Sequence, residues 1–70
     1  MTRQPVSSSN IASIGYDPQT QTLEIEFHSG SIYQYYGVQQ SLYQGLMGAS
    51  SHGSYFSQNI KGRYGDTKVA

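Results

Sequence analysis

This chain of 70 residues has no cysteine, no tryptophan and no stretch of more than a few consecutive apolar residues. Without cysteine, disulfides and thiolate metal sites are excluded. The two histidines, His28 and His52, stand far apart with no carboxylate or third ligand at metal-site spacing, so neither zinc nor any other cofactor is expected. Without a long apolar run, neither a membrane span nor a secretory signal is expected, and a cytoplasmic location is the default expectation.

Charge is scarce as well. Arg3, Lys61, Arg63 and Lys68 balance Asp17, Glu24, Glu26 and Asp66, for a formal net charge of zero. Strong sequence-independent nucleic-acid binding needs several Lys or Arg contacts to release counterions, which argues against it here. A local basic patch stays open, because three of the four cations lie in the last ten residues. Uncharged polar side chains fill the gap, with 25 Ser, Thr, Asn and Gln residues, beside seven Tyr and two Phe. The length supports one domain. Its core must therefore draw much of its volume from tyrosine.

Residues 1–9 (MTRQPVSSS) and 65–70 (GDTKVA) offer little to bury and are expected as a flexible arm and tail. That leaves 10–64 as the folded domain. IASIGYD (11–17) alternates Ile14 and Tyr16 as a strand does, and DPQTQ supplies a turn in which Asp17 can bond the backbone and Pro18 fixes φ. TLEIEF (22–27) sets Leu23, Ile25 and Phe27 against Glu24 and Glu26, the pattern of a strand with one buried and one wet face.

The connection to SIYQYYG (31–37) admits two hairpins. A two-residue Ser29-Gly30 turn places Phe27 opposite Ile32 and sends Tyr33 and Tyr35 to the glutamate face. A three-residue loop, His28-Ser29-Gly30, with glycine left-handed in third place, sets Ile25 opposite Tyr33 and Leu23 opposite Tyr35. The second is favoured, because it gathers five large side chains on one face and puts glycine where the loop demands it. Tyr33 and Tyr35 then belong to the core, while Ile32 and Tyr36 point outward.

After Val38 the period changes. Leu42 with Leu46, and Tyr43 with Met47, are i,i+4 pairs of a short helix weakened by Gly45 and Gly48. A second helix follows, with Ser51 as N-cap, Phe56 and Ile60 on one face, and Gly62 as its stop. The expected fold is α+β: a three-stranded antiparallel β-meander followed by two short α-helices on one face, β-β-β-α-α.

Little here supports catalysis. Glu24 and Glu26 lie about 7 Å apart along a strand, but as the solvated half of its alternation. His52 has no acid nearby to orient its imidazole. The glycines match neither a Walker loop nor a dinucleotide fingerprint. Two binding readings remain. Lys61, Arg63 and Tyr64 follow the second helix, where cations complement the helix dipole even without a ligand. The functional alternative is a small basic-aromatic patch for a few phosphates and a stacked base of single-stranded RNA, with His52 as a neighbour. The competing reading is a protein-interaction or self-association surface on the outer sheet face, using Ile32 and Tyr36, or on an open edge strand.

Residues 14–38 (IGYDPQTQTLEIEFHSGSIYQYYGV) and 42–64 (LYQGLMGASSHGSYFSQNIKGRY) together resemble the KTSC domain family, over about Ser9 to Tyr64. The matching features are Tyr16-Asp17, the strand ending in Phe27, Gly30, Tyr33-x-Tyr35, Ser51-x-Gly53-Ser54-Tyr55-Phe56, Ile60 and Arg63. Where the family often has proline after the valine closing the third strand, this chain has Gln39-Gln40. The resemblance implies a short bacterial domain that occurs alone or at the C-terminus of some lysyl-tRNA synthetases, with RNA binding suggested through that connection. No synthetase domain accompanies it here, so aminoacylation does not carry over. A small non-enzymatic binding module is the expectation.

Overall fold

The hydrophobic alternation of the middle strands organises the whole molecule. The computed structural model describes residues 1–70. Its elements are β1 (Arg3–Pro5), β2 (Ile11–Asp17), β3 (Thr22–Phe27), β4 (Ile32–Tyr35), α1 (Gln40–Gly48), α2 (His52–Asn59) and β5 (Asp66–Lys68). All five strands form one antiparallel sheet in sequence order.

The central hairpin closes through the three-residue loop. Leu23 pairs with Tyr35 and Ile25 with Tyr33. The Phe27 amide donates to the Ser31 carbonyl at 2.9 Å, and Gly30 sits at φ +96°, a conformation that side chains resist. In β2, Ile11 and Ile14 have opposite parity yet are both fully buried. A bulge between Ile11 and Ser13 allows this, by inserting one residue and turning the first isoleucine back to the core.

Above that face lie the helices. Leu46 of α1, Phe56 of α2 and Ile60 just beyond it close the core over Ile11, Ile14, Leu23, Ile25 and Tyr35, with Val38 at the crossing. Gln39 gives α1 no side-chain cap. Packing fixes its start instead: the Tyr16 hydroxyl donates to the Val38 carbonyl at 2.5 Å, and its ring stacks on Tyr43 with centroids 4.7 Å apart. In α2 the Ser51 hydroxyl accepts from the Ser54 amide at 3.2 Å, the N-cap expected from sequence. Gly62, at φ +76°, ends the run.

Two expectations need correction. The sheet has five strands, not three, because the segments expected as arm and tail each supply one. Both are three residues long and lack an apolar alternation, so their pairing comes from the ready-made edges of β2 and β4 and leaves no hydrophobic signature. Glu24 is also not solvated, for its exposure is only 7%. Arg3, carried over the outer face by β1, covers it.

Candidate functional site

The side of the molecule where α2 crosses the ends of β3 and β4 holds an aromatic cleft of about 320 Å³. Its floor is a closed ring of four side chains. Phe27 meets Tyr33 at 5.9 Å, Tyr33 meets Tyr35 at 6.4 Å, Tyr35 meets Phe56 at 5.3 Å, and Phe56 returns to Phe27 at 5.7 Å. Three of these contacts are edge-to-face, the arrangement that ring quadrupoles favour. Tyr35 and Phe56 are almost fully buried, whereas Phe27 and Tyr33 are half-buried and line the cleft.

Lys61 and Asp66 stand on the rim, with Asn10 and Ser57. Register explains how β5 contributes. Asp66 pairs with Tyr35 and Lys68 with Tyr33, and directly paired residues of antiparallel strands share a face. Lys68 therefore joins the aromatic side of the sheet. Burial, Asp66 and Tyr33 together push the Tyr35 hydroxyl up to about 12, so it is a neutral group at any physiological pH. Through Asn10 and Ser57 the cleft continues into an open depression of about 400 Å³ lined by no hydrophobic residue, where Ser9, Ser51, Ser54 and Gln58 supply hydroxyls and amides.

The residues singled out from sequence are only partly gathered here. Lys61 is exposed on the rim. Arg63 turns back along α2, and its Nε donates to the Gln58 carbonyl at 3.0 Å, satisfying a helix-end acceptor. Tyr64 is half-buried against the core. His52 begins α2, at the opposite end of the helix from Lys61, which follows its C-terminus. Its Nδ1 lies 2.8 Å from the Leu46 carbonyl, so that nitrogen carries the proton and ties α2 to the end of α1. Sequence reasoning missed Asn10, Ser57, Asp66 and Lys68. The tail was the missing signal: read as a strand, DTK places one anion and one cation beside Tyr35 and Tyr33. No three His, Asp or Glu side chains come together as a metal site.

The outer face is organised differently. Arg3, Gly15, Glu24 and Gln34 form one row across β1 to β4. A side chain on residue 15 would meet the Thr2 carbonyl at 2.7 Å and the Arg3 side chain at 2.9 Å, so only glycine lets Arg3 reach over it. The Arg3 guanidinium bonds the Glu24 carboxylate, and its Nε donates to Ser13 at 3.0 Å. Ser13 donates on to Glu26 at 2.8 Å, and Gln34 donates to Glu24 at 2.9 Å. Burial alone would raise the Glu24 carboxyl, but the hydrogen bonds from Gln34 and Arg3, with the charge of Arg3, outweigh it and hold the group below its ordinary range. Ile32, paired with Glu26, and Tyr36, 41% exposed, flank this polar centre.

The sequence model of the KTSC domain matches residues 7–64. The chain belongs to the KTSC domain family. An uncharacterized protein of Stutzerimonas stutzeri is 44% identical over 61 residues, covering 87% of this chain and 86% of that one. A lysine–tRNA ligase of Nostoc punctiforme is 45% identical over 54 residues, 77% of this chain but only 10% of the ligase. A crystal structure of a KTSC domain protein from Yersinia pestis superposes with a TM-score of 0.96 at 48% identity, over 99% of this chain and 97% of that one. The span matched to the KTSC domain contains β2 to α2 and stops short of both edge strands, β1 and β5. No helix is long and apolar enough to cross a membrane.

Proposed function

We propose that this KTSC domain is a non-enzymatic module that binds short single-stranded RNA in the cleft beside α2. Its position in the family, among relatives that include lysine–tRNA ligases, supports an RNA context. The observation that carries the reading is the cleft itself: half-buried Phe27 and Tyr33 line it with aromatic surface that a base can contact, with Lys61 on the rim and Lys68 beside Tyr33. Stacking on aromatics is tolerant of sequence, and each cation can meet one phosphate. Asp66 on the same rim keeps the net field weak, so affinity is low. Arg63, already committed through Nε, is secondary, and His52 lies outside the contact.

An NMR titration with short single-stranded RNA pools at low salt tests this. Shifts are expected at Phe27, Tyr33, Lys61 and Lys68. With two phosphate contacts, the affinity should fall about sevenfold between 50 and 200 mM salt, from a slope of about 0.7 per contact on a log–log scale. In Lys61→Ala the same change in salt should cost only about 2.6-fold. No shift at low salt sinks the RNA reading. The alternative, a protein-binding face at Ile32 and Tyr36, predicts shifts there that are insensitive to salt and appear with protein concentration.

A further inference from the structure

The outer-face network has a feature that neither the RNA cleft nor the fold requires. β1 pairs by its backbone with the Ser13–Gly15 part of a seven-residue edge, the Val6 amide adds a bond to the Ala12 carbonyl at 3.1 Å, and Arg3 is the β1 side chain bonded across the outer face. That side chain, Arg3, is received by a prepared site: Glu24 and Ser13 bond the guanidinium, while Gln34 and Glu26 hold those two acceptors in place. Gly15 keeps the path between them clear. Beneath β1 the KTSC-matched span is therefore a sheet edge with a receptor for an arginine-bearing strand.

The connector from β1 to β2 is suited to opening. Ser7, Ser9 and Asn10 are exposed and Ser8 is half-buried, so Val6, half-buried against the core, is the one apolar anchor that must release. The turn is held by the Ser8 hydroxyl, which accepts from the Ile11 and Asn10 amides at 3.3 and 3.4 Å, and by the Ser8 carbonyl, 2.8 Å from His28 Nε2. The Asn10 and His28 bonds are exposed, and bonds of that kind are readily replaced by water. The occupant that fits the edge is also present in every copy of the chain, since exchange of an identical segment reproduces each contact of the closed form.

We propose that the β2 edge is a strand-exchange surface through which two copies of this chain associate, each placing its Arg3 against the Glu24 of the other. A strand tethered by a short linker competes at an effective concentration on the order of mM. The chain therefore closes on itself at micromolar concentration and exchanges as its concentration approaches that value.

Two full-length variants test the exchange, Arg3→Glu and Glu24→Arg. Closed on itself, each sets like charges together at this site. Mixed, they restore the pairing in trans, with Arg3 of one against Glu24 of the other and the reversed pair on the second edge. Multi-angle light scattering should give each variant alone at the monomer mass of 7.7 kDa. The equimolar mixture should give twice that mass at about 0.1 mM total protein, well below the mM scale set by the tether. A mixture that stays monomeric at that concentration overturns the proposal.

Because Glu24 is buried, Glu24→Arg could fail to fold, and a second measurement covers that case. Full-length Arg3→Ala, with its own strand loosened, is titrated with a labelled peptide of residues 1–7. Binding is expected with shifts at the Ser13, Gly15 and Glu24 amides, at least tenfold tighter than for the same peptide carrying alanine at position 3. Equal binding by both peptides, or none by either, refutes the exchange.

Discussion

Replacing Tyr35 by alanine tests the sheet register and the aromatic ring together, because its neighbour Tyr36 serves as the control. Tyr35 is 5% exposed, with Phe56 at 5.3 Å edge-to-face and Tyr33 at 6.4 Å. A buried aromatic side chain removes about 150 Å² or more from water, worth about 4 kcal/mol at about 25 cal/mol per Å². Alanine keeps a small part of that. The void also opens into the existing cleft, where water can enter, so the penalty for an empty cavity is small. A loss of about 3 kcal/mol results, at the lower end for aromatic-to-alanine changes in cores. A domain of this size holds only about 3.5–10 kcal/mol in total. The midpoint of thermal unfolding should fall by about 12–24 °C. Tyr36→Ala, at an exposed position, should stay within about 0.5 kcal/mol of the parent. Urea titrations followed by circular dichroism measure both. A larger loss at Tyr36 than at Tyr35 would refute the reasoning, since it would mean a strand slipped by one residue, with Tyr36 facing the core and Tyr35 turned out.

Titration of two groups adds opposite limbs to the stability curve. The folded state holds Glu24 below its ordinary range, so it contributes stability that is present above the unfolded value of 4.5 and lost as pH falls through the folded one. Urea midpoints below pH 4.5 should therefore fall less steeply in Glu24→Gln than in the parent. Tyr35 is raised from 10.0 to about 12, so its contribution is intact below pH 10 and is lost as pH climbs through that interval. The full shift is worth about 2–3 kcal/mol at 1.36 kcal/mol per pH unit, and Tyr35→Phe should flatten that part of the alkaline limb. Two glycines of α1 should answer the same substitution with opposite signs. A side chain at Gly45 meets the Tyr55 hydroxyl at 2.2 Å and its ring at 2.8 Å, so Gly45→Ala destabilises. Gly48 has open space around it, and Gly48→Ala should gain up to about 1 kcal/mol, read from thermal midpoints.

What the sequence made legible was whatever burial imposes at period two or at i,i+4. Leu23, Ile25, Tyr33 and Tyr35 could be paired from their alternation and from the place of Gly30, and the structure has that pairing. Ser51, Phe56 and Ile60 likewise carried α2. The rest was hidden because its cause is not hydrophobic. RQP and DTK pair through backbone groups that every residue possesses, and only the neighbouring edge makes them strands. Glu24 looked solvated because alternation says which face a residue takes, not what lies over that face. The cation that buries it is 21 positions away. The cleft was obscured for a similar reason. Lys61 was visible in the sequence, but Asp66 and Lys68 reach the rim only through the β4–β5 register.

The placement of the charges separates the two surfaces. Each of the four cations has a place: Arg3 is paired with Glu24, Arg63 bonds the Gln58 carbonyl, and Lys61 and Lys68 remain on the aromatic side. A chain with zero net charge has no general attraction for nucleic acid, so any RNA binding must come from the local arrangement of those two lysines and the rings lining the cleft. Strand exchange, by contrast, would draw on Arg3 and β1, at the opposite edge of the sheet from β5. The edges are therefore expected to respond independently, with Lys61→Ala leaving association unchanged and Arg3→Glu leaving the cleft intact. Coupling between them would require the sheet itself to shift, and a register fixed on both sides by large side chains resists that.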